Sequence, residues 1–316
     1  MEAEPLVKLP EPPDPERAAT RVLVVGAGPV GHALAQGLQR AGFALRHWSR
    51  SQGPLWQEPG VHDNRERAAP VDVVILAVRD EAIAQAAEFI VEHGAAGEKT
   101  VLLHCAGALA PAEVLARQAP RVAGCGLLHP LRSFTQPPPG IGVDAWAGSA
   151  VSLKGTVMAL CGDELSVRLG RRLIEAVGGV PLLLAPEQLP LYHAAAVMAA
   201  GHVAALLEVA SHLLRRIGLP REHGAKALAA LTRSVLDNID ATGLTQALTG
   251  PIARGDASTV ARHLEALRKT SCEVTDIYRA LSYTAVDMAQ RKGVDPETLD
   301  RIMALLDKGA PDPSAR

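Results

Sequence analysis

Three constellations of residues have the types and spacing for chemistry. The first is Gly26-Ala27-Gly28-Pro29-Val30-Gly31, which directly follows the apolar run Arg21-Val22-Leu23-Val24-Val25. In a G-x-G-x-x-G turn the first glycine allows a tight bend, the second lets backbone approach a pyrophosphate, and the third lets the next helix pack close to the strand. The start of that helix offers free N–H groups and a partial positive charge to an anion. A glycine-rich turn without a ligand is the alternative, and the strand before and helix after weigh against it.

Which dinucleotide such a turn takes is decided about 20 residues on, where an acid normally holds the ribose 2′-hydroxyl of NAD. No Asp or Glu lies between Gly31 and Glu58, and the second apolar run ends in Trp48-Ser49-Arg50-Ser51. An arginine between two hydroxyls suits a 2′-phosphate. NADP(H) is therefore expected, held by Gly26, Gly28, Pro29, Val30, Gly31, Ser49, Arg50 and Ser51, with Ala77 and Val78 beside it at the end of the third run. Arg50 as a solvated surface arginine is the other reading.

The third constellation is scattered. His129, followed by Pro130, stands just past an apolar run, where a histidine could give or take a proton above a bound nicotinamide or simply hydrogen-bond the turn. Tyr192-His193 opens an Ala-rich helix, and His193 reads either as a core histidine or as a substrate ligand. Arg254 follows the turn Thr249-Gly250-Pro251; it suits a substrate carboxylate, although the segment up to Asp256 also reads as helix-start chemistry. His104 is expected to be structural and Cys105 an inert buried thiol. His202, His212 and His263 have no metal-ligand spacing and read as packing or surface residues; no metal is expected.

These residues need strand ends and helix starts to position them, and the pattern supplies both. Short β-branched runs alternate with helical stretches from Arg21 to about residue 186, including a helix from Asp80 to His93. After that the strand signals stop. The chain reads as a tail over 1–19, an α/β Rossmann-like, doubly wound, mainly parallel sheet over 20–186, and an all-α substrate and dimerisation domain over 187–312.

With 316 residues, 48% of them hydrophobic, there is material for two cores. A formal charge of −2, and no basic run longer than a doublet such as Arg171-Arg172, argue against a nucleic-acid partner. At 3% aromatics no stacking platform for single-stranded bases, and no aromatic lining for a sugar site, is expected. The four cysteines are too far apart for a Cys-x-x-Cys motif. Residues 189–214 form the longest apolar stretch, interrupted by His193, His202, Glu208 and His212, so no membrane span is expected. The N-terminus has no signal-peptide pattern, and a cytoplasmic location is expected. The small side chains of residues 193–205 suggest a helix face for a homodimer.

GAGPVGHALAQGL, VDVVILAVRDEAI, HCAGAL, GLLHPLRSF, LYHAAAV and ALTGPIARGDASTVARHLEAL together resemble the two-domain bacterial family with a Rossmann-like half and a helical domain of unknown function 2520. That family is similar to ketopantoate reductases, 6-phosphogluconate dehydrogenases and prephenate dehydrogenases. The resemblance implies an NADPH-dependent reductase of a small carboxylate-bearing carbonyl compound. Ketopantoate is the leading candidate; His129, Tyr192 and His193 would serve catalysis, and Arg254, Thr249 and Gly250 the substrate. An imine substrate and a non-catalytic NADP(H)-binding or sensing protein are the alternatives. The chain departs from the family pattern where Leu189 and Gly201 replace a lysine and an asparagine, and where Ala106 replaces a serine.

Overall fold

A computed structural model describes residues 15–49, 70–135 and 152–308. Of the expected tail, residues 15–19 form a short helix, α1 (Pro15–Ala19), whose Glu16 pairs with Arg172 at 3.1 Å.

Seven strands form one sheet: β1 (Arg21–Val25), β2 (Ala44–Trp48), β3 (Val73–Leu76), β4 (Val101–His104), β5 (Gly124–Pro130), β6 (Val157–Gly162) and β7 (Val180–Leu183). Their order is β2-β1-β3-β4-β5-β6-β7. All neighbours are parallel except β5 and β6, which pair antiparallel. The Rossmann-like, mainly parallel sheet is as expected.

Parallel strands covered on both faces read as continuous apolar runs. Accordingly Val73–Leu76 and Val101–His104 are buried at every position. On one face Val22, Val24, Ile75 and Leu103 pack with Leu34 and Leu38 of α2 (Pro29–Arg40) and with Leu173 of α5 (Glu164–Ala176). On the other, Leu23, Val25, Leu76 and Leu102 pack with Ile83 and Ile90 of α3 (Ile83–Glu92). Each such side chain contributes about 1.5–3 kcal/mol relative to exposure, so this two-faced core fixes where the strands end. The expected helix from Asp80 begins instead as a 3-10 turn, Asp80–Ala82, and continues as α3. After β4 a short helix, α4 (Pro111–Val114), leads toward β5. Asp163 caps α5 by accepting from Ser166 N (2.9 Å), and also accepts from Cys125 N (2.6 Å), tying that helix to β5.

The chain divides into two compact units, and the boundary falls between Ala200 and Gly201. Helix α6 (Leu189–Ala199) belongs to the first unit, past the expected division at 186/187, because Leu189 and Tyr192 pack against Leu127, Ala159 and Cys161 of the sheet. The second unit is helical: α7 (Gly201–Arg216), α8 (Arg221–Thr242), α9 (Leu244–Ala247), α10 (Ala257–Arg268), α11 (Cys272–Arg291) and α12 (Pro296–Asp307). Its core joins Val260, Leu264, Val286, Leu299 and Ile302. Asp256, Ser271 and Asp295 cap three of these helices by accepting backbone N–H bonds.

Within Pro186–Arg216 an 18-residue window has a mean hydropathy of 1.6 with 6% of it buried, so by length and composition alone this run could cross a membrane. The run is not one continuous α-helix: α6 ends at Ala199 and α7 starts at Gly201.

Candidate active site

Between Val25 and Pro29 the chain reverses through Gly26, Ala27 and Gly28. Gly26 has φ +125°, and a Cβ there would lie 2.2 Å from the Ala77 carbonyl oxygen. A Cβ on Gly31 would lie 2.3 Å from Gly26 O. Both positions thus demand glycine, one for conformation and closeness, the other for closeness alone. Pro29 carries no N–H. Among the described residues the N–H groups of Ala27, Gly28, Val30 and Gly31 make no backbone hydrogen bond, the normal state of a helix start and the state an anion satisfies.

This turn borders a cavity of about 660 Å³ beyond the ends of β1 and β3, lined in part by Gly26, Gly28, Ser49, Ala77, Val78 and Arg79. Five of the expected cofactor residues therefore line one space. Pro29, Val30 and Gly31 lie behind it in the first turn of α2. Arg50 and Ser51 lie outside the described residues. Trp48 and Phe89 also line the cavity, stacked with ring centroids 5.3 Å apart and planes 8° from parallel.

Farther along the sheet, His129 ends its strand beside α6. Tyr192 Oη lies 2.9 Å from His129 Nδ1, and the rings meet edge to face at 5.6 Å. His193 is 5.8 Å from His129 between ring centroids. Gly107 makes room for both: a Cβ there would stand 2.7 Å from His193 Cδ2 and 3.0 Å from His129 Nε2. The three residues expected to be catalytic thus come together.

Electrostatics change how they can act. Burial, followed by the neighbouring His193, lowers the His129 pKa to about 4. Burial and then His129 lower that of His104 to about 4 as well. Burial pushes the Tyr192 hydroxyl up to about 12. At neutral pH His104, His129 and Tyr192 are uncharged, so His129 stands as a neutral imidazole. Fully buried His104 accepts from Ala106 N at 3.3 Å through Nδ1, as a structural histidine would; its Nε2 has no partner among the described residues. The Cys105 thiol is driven up to about 12 by burial and is inert, in line with the sequence reading.

Departures from the family pattern have local reasons. Leu189 is wholly buried among Leu127, Ala159 and Cys161, a setting in which a lysine would lose its hydration. Ala106 is buried too, whereas a side chain at Gly201 would meet open space.

In the helical unit, Gly250 adopts φ +91°, and Arg254 ends a single 3-10 turn, Ile252–Arg254. Asp256 accounts for the helix start, accepting from Thr259 N (3.0 Å), Thr259 Oγ1 (2.6 Å) and Ser258 Oγ (2.8 Å). The Arg254 side chain takes no part in it: exposed, it makes no hydrogen bond or ion pair among the described residues, while the backbone N–H donates to Pro251 O at 3.1 Å. Thr249 lines a cavity of about 380 Å³ with Leu206, Leu213, Tyr278 and others of the same unit. His263 Nδ1 lies 3.1 Å from Tyr278 Oη.

Residues 156–285 match the family described as domain of unknown function DUF2520. The matched stretch begins just before β6, inside the sheet, and ends in α11, so it both starts and stops earlier than the helical half expected over 187–312. A comparison with curated proteins finds no match. Among solved structures the chain is similar to protein TM1727 from Thermotoga maritima (21% identity, 86% of this chain and 99% of that one, TM-score 0.63). It is also similar to protein BF3122 from Bacteroides fragilis (18%, 85% and 98%, TM-score 0.60). A third likeness is to pyrroline carboxylate reductase of Plasmodium falciparum, solved with NADP bound (13%, 91% and 98%, TM-score 0.52). At these identities the likeness is one of fold.

Sequence reasoning passed over His32 and His47, which lie against the glycine turn, and Phe89, which backs Trp48. His47 joins a residue 21 positions away, and no local pattern announces such a contact.

Proposed function

We propose that the chain is an NADPH-dependent reductase of a small carbonyl compound bearing a carboxylate, with ketopantoate as the candidate substrate. The observation that carries this reading is the glycine turn, whose N–H groups make no backbone hydrogen bond among the described residues, at the edge of a cavity of about 660 Å³. Such a cradle takes a diphosphate, and the stacked Trp48 and Phe89 give the adenosine part an apolar wall. Arg50, with Ser49 and Ser51, would hold the 2′-phosphate. Bound NADPH would supply the hydride.

The protein's own part is the proton and the pose. His129, uncharged, would donate from Nε2–H while Tyr192 Oη–H returns a proton to Nδ1, so that the imidazole stays neutral and the charge ends on the tyrosine oxygen. His193 would complete that wall. Arg254, with the turn at Thr249 and Gly250, would bind the carboxylate. A cytoplasmic homodimer belongs to the same reading.

A second reading has its own support. His129 and Tyr192 are uncharged at neutral pH, and an imine that arrives protonated needs no proton from the protein. Calorimetric titration with NADPH, followed by turnover with 2-keto acids and with carboxylated cyclic imines, tests both. Reduction of keto acids supports the first reading and reduction of imines alone the second. Tight binding with no turnover would make the chain a non-catalytic NADP(H)-binding protein.

A further inference from the structure

Two histidines away from the His129 cluster meet at the glycine turn. His47 pairs in register with Val24, whose side chain packs under α2. Paired residues on adjacent strands share a face, so His47 points toward α2 as well. Its Nε2 lies 2.7 Å from Gly26 O. From the first turn of α2, His32 Nδ1 lies 3.3 Å from Gly28 O, and the two imidazoles meet edge to face at 4.6 Å. A carbonyl oxygen only accepts, so His47 donates from Nε2–H and His32 from Nδ1–H.

The peptide plane turns this into a statement about the ligand. In a trans peptide the N–H points opposite to the C=O of the same plane. Anchoring Gly26 O therefore fixes the direction of the Ala27 N–H, one of the donors at the cavity edge that make no backbone hydrogen bond among the described residues. Glycines have the most conformational freedom to lose, and a turn that is not anchored would lose it on binding. We infer that His47, seconded by His32, is a positioning residue for the dinucleotide's pyrophosphate, holding the turn in its binding shape through carbonyl oxygens the ligand never touches. This rests on the NADPH reading above.

The test compares the wild type with His47→Ala, His47→Gln, His32→Ala and His32→Asn, after thermal unfolding of each. Glutamine Nε2 and asparagine Nδ2 can replace the lost donors. NADPH is titrated by calorimetry. The binding of 2′-AMP, which carries the 2′-phosphate but no pyrophosphate, is followed by ligand-observed NMR. His47→Ala is expected to weaken NADPH about tenfold, the upper range for one hydrogen bond, and His32→Ala by less. Binding of 2′-AMP should stay within about twofold, and the glutamine and asparagine variants should recover most of the NADPH affinity. Unchanged NADPH affinity in both alanine variants would overturn the inference, as would an equal loss for both ligands, which would mean only that the strand was disturbed. Should His47→Ala not fold, the glutamine variant and the His32 pair decide. A wild type that binds no NADPH would instead overturn the functional reading.

Discussion

Tyr192 Oη sits 2.9 Å from His129 Nδ1, although the two residues are 63 positions apart and come from a helix and a strand end. Removing either end of this contact should slow chemistry without loosening the cofactor. His129→Ala is expected to lower kcat by about 10²–10⁴-fold, and Tyr192→Phe by less, with NADPH affinity nearly unchanged. Arg254→Ala should chiefly raise the KM of the carboxylate substrate. Steady-state kinetics on the three variants separates the defects.

Stability should depend on pH in a defined window. His104 and His129 have pKa values of about 4 in the folded chain, below the 6.5 of an unfolded histidine. Between these values the unfolded chain binds more protons, so stability is full above pH 6.5 and is lost as pH falls toward 4. The loss is on the order of a few kcal/mol. Urea unfolding from pH 7 to pH 4.5 should show it, and His104→Leu should flatten the slope.

Gly107→Ala is expected to behave as an active-site variant with no new chemistry. Its methyl would press on His193 and on His129 Nε2. Turnover should drop at least tenfold while the unfolding midpoint moves by only a few degrees, because the displaced rings are side chains and not core backbone. Kinetics together with a thermal melt checks both.

NADPH should bind at least tenfold more tightly than NADH, about 1.4 kcal/mol, with Arg50→Ala erasing the preference. Competitive calorimetry measures it. Equal affinities in the wild type would remove the assignment of the 2′-phosphate to Arg50.

In the helical unit Ile217, Leu231 and Leu244 are each at least 60% exposed, apolar surface that is costly to leave in water. The expected outcome is a symmetric homodimer through the helical half, read as twice the 33.2 kDa chain mass by light scattering. Leu231→Glu should shift it toward monomer. If the chain instead partitions into detergent, the Pro186–Arg216 segment has a lipid partner.

Much of the frame was legible because it is local. The strand that feeds the glycine turn, the helix that follows, and the burial of Val73–Leu76 follow from period and composition. What was not legible is long-range. That Tyr192 and His129 touch depends on α6 packing back on β5, and Leu189 shows its reason only once Leu127 and Cys161 are seen around it. His129 was legible as a position but not as a charge state, because burial is a property of the folded neighbourhood. His47 looked like an ordinary strand residue until the register placed it under Gly26.

Trp48 has a practical consequence. The sequence holds three tryptophans, and this one shares the cavity wall with the glycine turn while its ring lies flat against Phe89. Indole emission responds to the polarity and stacking of its surroundings, so a nucleotide entering the cavity should change the light the protein emits. The other two, Trp56 and Trp146, can be replaced by phenylalanine to leave a single reporter. Occupancy could then be followed in real time, stopped-flow included, with no label attached to either ligand or chain.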